Sequence, residues 1–174
     1  MAGTKPKFTI KWTKRDNKTW PVPGKTYEEM FKFFEKKNAA KEEWAKFHHE
    51  RPSLSVEPDK SDPITDVTLM VGYTIVMPEW SKATSIGKNR KAAWDKMIAA
   101  LKAHEGQHRK ILEDQAQSFG ATITSETDLS HTRLTELFNK FAPNLDKAQK
   151  AYDATSWHGV KEGVSLPAPD KVKD

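Results

Sequence analysis

The stretch KAAWDKMIAALKAHEGQHRKILEDQ (Lys91–Gln115) decides how this chain is read. Trp94, Met97, Ile98, Leu101, Ile111 and Leu112 recur at steps of three and four, the spacing of one face of an α-helix. Continued through the middle, that stripe meets His104, Glu105 and His108. Two imidazoles and a carboxylate therefore stand where the helix should face its core. Burying such groups without partners is expensive, and a metal ion that takes the imidazole lone pairs removes that cost.

HEGQH at 104–108 is an H-E-x-x-H motif. At about 100° per residue, positions four apart lie ~40° apart around a helix, so both rings can address one ion. Glu105 is ~100° from His104 and ~60° from His108, which places it beside the ion and off its ligand set. That is the position of a base that takes a proton from a metal-activated water. A tetrahedral catalytic zinc needs a third protein ligand and an open position. The metzincin extension would put that ligand at position 114, here Asp114, but on a continuous helix this residue is ~240° around from His108. The third ligand has to come from elsewhere, with Glu126, Glu136, His131, Asp153 and His158 as candidates. His158 sits in YDATSWHG, past a predicted helix end and before Gly159, where a loop side chain is readily aimed; Asp153 could orient that imidazole. His48 and His49, beside Glu50, read as surface residues.

Composition narrows the chemistry. The chain has 174 residues and no cysteine, which removes disulfide scaffolds, thiolate metal sites and thiol nucleophiles. Any metal site must use His, Asp or Glu. The net charge of +5 comes from 29 basic and 24 acidic residues mixed along the sequence, a solvated surface more than a nucleic-acid face. No apolar run approaches the ~20 residues of a membrane span. The first twelve residues lack the apolar core of a secretory signal, which leaves the compartment open.

The remaining elements are read from pattern. Lys7 to Trp12 alternates as a short, edge-like strand. Thr26 and Glu29 form a capping box before a helix from Tyr27 to about Lys37, which continues or restarts through Trp44 and Phe47 to about His49. Glu50 to Pro63, with three prolines, reads as a loop. Asp66 to Met77 alternates as the strongest strand, with Gly72 as a bulge position, Pro78 as its end and an edge that could accept an extended peptide. The long helix is expected over Asn89–Ser118 with Gly120 as its stop, then a short strand at Ala121–Thr124. Two further helices are expected, one through Leu134 and Phe141 ended by Pro143, one from Leu145 to Ala154, followed by an irregular tail over 164–174. The fold class is α+β: a single domain over residues 1–174, its core spanning about 7–163.

Four stretches in this order resemble the bacterial family of predicted secreted zinc-dependent proteases, a domain family of unknown function. They are WPVPGKTYEEMFKFF, VGYTIVMPEW, AAWDKMIAALKAHEGQHRKI and YDATSWHG, together covering roughly Trp20 to Gly163. The resemblance implies a zincin-like metallopeptidase that binds Zn2+ through His104, His108 and His158. Glu105 would be the general base and Tyr152 and Asp153 supporting residues; the closeness of Tyr152 to His158 in sequence, apart from the resemblance, suggests it as a donor to the oxyanion. It also implies a peptide or protein substrate and a secreted or periplasmic location, with the cytoplasm left open. Ser156 stands where the resemblance leads one to expect Thr, and Glu162 where it leads one to expect Gln. Two rival readings share the site: a zinc amidase acting on cell-wall peptide, and a zinc-stabilised binding module without turnover.

Overall fold

A computed structural model describes residues 3–172. The described residues form an α+β fold of three α-helices and a four-stranded mixed sheet. The order along the chain is β1 (Lys7–Pro21), α1 (Tyr27–Ala39), β2 (Lys46–His49), β3 (Ser53–Glu57), β4 (Asp66–Glu79), α2 (Lys88–Ser125) and α3 (His131–Ser156). Residues 173 and 174 of the expected tail lie outside the described residues.

The sheet is built around β4, in the order β1-β4-β2, with β3 also paired to β4. Backbone bonds from Lys7 N–H to Thr65 O and from Val22 N–H to Glu79 O set β1 parallel to β4. β3 is antiparallel, from Ser53 opposite Met70 to Glu57 opposite Asp66. β4 is thus paired on both sides and has no free edge for a peptide, against the sequence expectation; β1 is the end strand. Nor does Pro78 end β4, which runs on to Glu79. At Gly72 a Cβ would lie 2.5 Å from Glu50 Oε2 and 2.6 Å from Thr13 Oγ1, so a larger residue would displace those two side chains.

The chain divides into two compact units. One joins the chain's start up to Asp16 with His48–Thr74 and His108–Ala151; the other joins Asn17–Phe47, Ile75–Gln107 and the chain from Tyr152 onward. β1, β4, α2 and α3 each run unbroken from one unit into the other. In the first unit, Val67, Leu69 and Val71 of β4 are buried, as are Leu112, Ala116, Phe119 and Ile123 of α2. Phe119 is an aromatic hub, edge-on to Phe8 at 5.9 Å and 5.2 Å from Phe141. In the second unit, Tyr27, Met30 and Phe34 of α1 pack in one cluster with Trp80 and with Trp94, Met97 and Leu101 of α2.

Several expected boundaries move, each for a local reason. α1 stops at Ala39 because Lys41 takes a left-handed φ of 55°, and KFHH forms β2 where a helix was expected. Of the two residues whose spacing suggested that helix, Trp44 packs against the α1 cluster and Phe47 lies in β2. SLSVE, expected as loop, is strand β3, with Leu54 and Val56 less exposed than their neighbours. Gly120 does not stop α2: a Cβ there would lie 2.3 Å from the Phe8 ring, so the glycine admits that ring to the helix surface. The helix continues through Ala121–Thr124, where Ile123 is buried four residues after Phe119. Pro143 lies inside α3, which merges the two expected C-terminal helices into one. The tail is also less irregular than expected, since Val164 and Val172 are buried and Tyr27 donates to Pro167 O at 2.9 Å.

Candidate metal centre

Among the described residues, the buried polar side chains are His104, Glu105, His108, Gln149 and Ser156. They belong to two stretches, the HExxH turn of α2 and the last turns of α3. Buried polar groups need partners, and here the partners are specific. His108 Nδ1 is 2.6 Å from Gln149 Oε1, while Gln149 Nε2 donates to the His108 carbonyl at 3.0 Å. The carbonyl can only accept, so the amide orientation is fixed and Gln149 Oε1 faces a proton on Nδ1. His104 Nδ1 is 2.8 Å from Glu162 Oε2, a carboxylate that likewise accepts from an Nδ1–H. In both neutral rings the lone pair is therefore placed on Nε2.

Nε2 of His104 lies 3.4 Å from Asp153 Oδ1. His104, His108 and Asp153 each offer a ligand atom, and these atoms lie within 4.8 Å of one another, a group able to hold a metal ion. His104 thus stands between two carboxylates, Glu162 at Nδ1 and Asp153 at Nε2.

The end of α3 delivers these groups. Trp157 and His158 adopt left-handed φ values of 53° and 51°, followed by Gly159 at 85°. This reverses the chain so that Glu162 returns to Tyr152, whose hydroxyl donates to Glu162 Oε1 at 2.6 Å. Ser156 Oγ accepts from Gly159 N–H at 3.4 Å and steadies the turn. At Gly159 a Cβ would lie 2.6 Å from Val164 Cγ2 and 3.3 Å from His104 Cγ, so the turn closes directly over the His104 ring.

The sequence-derived residues divide as follows. His104, Glu105, His108, Tyr152 and Asp153 come together. His158 stands at the rim with its side chain 69% exposed and Nδ1 3.6 Å from Asp153 Oδ1. The other candidates lie apart: Glu126 and Glu136 pair with Arg133, and His131 pairs with Asp62. Asp114 is held by Lys110 on an exposed part of α2, consistent with its exclusion. Gln149 was not found from sequence, yet the signal was there, since it continues the buried stripe of Phe141 and Leu145 as a polar residue.

Burial, with added repulsion from Glu43 and Asp153, pushes the Glu105 carboxyl up to about 8. Burial and the bond to Glu162 raise the Tyr152 phenol well above its ordinary range.

The family model of a bacterial protein of unknown function, DUF922, matches residues 17–159. The chain belongs to that family. The match takes in both HEGQH and YDATSWHG and stops short of Glu162. No curated protein and no solved structure matches the chain.

Proposed function

We propose that the chain is a zinc-dependent metallopeptidase of zincin-like architecture, acting on a peptide or protein substrate. The observation that carries this reading is the pair of anchored histidines. Glu162 and Gln149 hold the two Nδ1 atoms, which leaves each Nε2 as the nitrogen that carries a lone pair, and His104, His108 and Asp153 each offer a ligand atom within 4.8 Å of the others. Two imidazoles and a carboxylate, without thiolates, are a donor set that fits zinc. His104 and His108 would hold the ion. Asp153 is the third ligand favoured by the geometry, and His158 is the one implied by the family resemblance. Zinc held there would supply Lewis acidity, polarising a scissile carbonyl and making water more acidic.

The protein's own residues have distinct parts in this reading. Glu105 is the general base, taking a proton from the attacking water and passing it to the leaving amine. Its raised affinity for protons suits both halves of that transfer near neutral pH. Gln149 and Glu162 fix the ring orientations. Tyr152 is the proposed donor to the oxyanion, and serving there requires its hydroxyl to leave Glu162 Oε1. Left-handed non-glycine residues such as Trp157 and His158 collect at functional sites, which supports placing the rim of the site at this turn.

The test is hydrolysis of a mixed-sequence peptide library by zinc-loaded protein. New termini with wild type and none with Glu105→Gln are expected. An equal product yield from the two would overturn the assignment. Cleavage confined to cell-wall peptides would identify the amidase, and zinc binding without any cleavage would identify the binding module.

A further inference from the structure

The two histidines are anchored by different kinds of acceptor: a neutral amide at His108, a carboxylate at His104. Each oxygen of that carboxylate has a partner. Glu162 Oε2 takes the His104 Nδ1–H and Oε1 takes the Tyr152 hydroxyl. The Tyr152 ring lies over the His104 ring, 5.0 Å between centroids and 24° from parallel. The backbone of residue 162 is tied as well, since its N–H donates to Gly159 O at 2.9 Å. Glu162 is an exposed residue, yet both of its carboxylate oxygens have partners. These contacts fix one oxygen on one ring nitrogen.

We infer that Glu162 is a positioning residue whose negative charge sets the affinity of this site for zinc, by drawing on the Nδ1 proton of His104 and so strengthening Nε2 as a donor. The inference rests on the metallopeptidase reading above, in that it takes His104 Nε2 as a ligand atom. A charged acceptor forms a stronger bond to Nδ1–H than a neutral one, and it also adds a negative charge close to a dication. Partners that hold a ligating imidazole in this way change metal affinity by roughly 10- to 100-fold when removed. Tyr152 then has a second part, since its hydroxyl and its ring keep the Glu162 carboxylate in register with His104.

The experiment is zinc titration of the full chain against a chromophoric chelator, for wild type, Glu162→Gln, Glu162→Asp and Glu162→Ala. Melting temperatures in excess chelator are recorded for each. Glu162→Gln keeps the size and an acceptor oxygen while removing the charge. It should weaken zinc binding about 10-fold, and Glu162→Ala by up to about 100-fold. Glu162→Asp keeps the charge and should recover part of the loss. Metal-free melting temperatures should stay close to wild type, which separates an effect on the ion from an effect on the fold. Wild-type zinc affinity in Glu162→Gln would overturn the inference alone. A wild-type chain that takes up no zinc would overturn it together with the proposed function.

Discussion

The phenol of Tyr152 stacks on the imidazole of His104, and both rings bond to the same carboxylate, that of Glu162. This triangle makes Tyr152→Phe an informative substitution. Phenylalanine keeps the stack and releases Glu162 Oε1. If Tyr152 acts through Glu162, zinc affinity should fall several-fold, and turnover at saturating zinc should be nearly unchanged. If Tyr152 serves the oxyanion, kcat should fall about 100-fold at unchanged zinc affinity, the scale of losing one such donor. Unchanged values of both would leave Tyr152 with neither part.

Glu105 predicts a pH dependence in the chelator-treated protein. Its folded pKa of about 8 lies above the unfolded value of 4.5. The folded state therefore binds the proton more tightly, and stability from this group is present below pH 4.5 and lost as pH rises towards 8. Glu105→Gln removes that loss. Denaturant unfolding should find the variant and wild type alike near pH 4.5 and the variant more stable by a few kcal/mol above pH 8. A difference that stays constant across this range would show that Glu105 is not held neutral by its surroundings.

Two glycines of α2 predict opposite outcomes from the same change. A Cβ at Gly106 would meet no atom within 4 Å, so Gly106→Ala should stabilise the helix by roughly 0.5–1 kcal/mol. At Gly120 the methyl would press into the Phe8 ring, and Gly120→Ala should cost roughly 1–3 kcal/mol despite the better helix former. Thermal unfolding of the pair checks both signs at once.

The third ligand separates cleanly. Asp153→Ala removes a member of the observed group, while His158→Ala removes an exposed ring beside it. Zinc stoichiometry after dialysis should drop in Asp153→Ala and hold in His158→Ala if the observed geometry is the binding geometry. The reverse pattern would assign the ion to His158.

The HExxH turn was legible because helical periodicity forces the question of why His104, Glu105 and His108 face inward, and all three are buried. The long strand Asp66–Glu79 was legible from alternation for the same reason. Errors gathered where one residue type serves two physical purposes. Gly120 read as a helix stop because glycine commonly ends helices, yet it is there to admit Phe8. Pro143 read as a break, yet α3 carries it internally. The prolines around SLSVE masked a strand whose own alternation was visible. Glu162 could be noticed in sequence but not placed, because its route to His104 depends on left-handed Trp157 and His158, which no pattern of residue types announces.

His104, His108 and Asp153 form a group able to hold a metal ion, and the proposed function takes that ion to be zinc. The most direct measurement is metal analysis of purified, dialysed wild type beside His108→Ala and Glu105→Gln. About one zinc per chain is expected in wild type, little in His108→Ala, and undiminished zinc in Glu105→Gln. Equal zinc in wild type and His108→Ala, or none in wild type after zinc loading, would contradict that assignment.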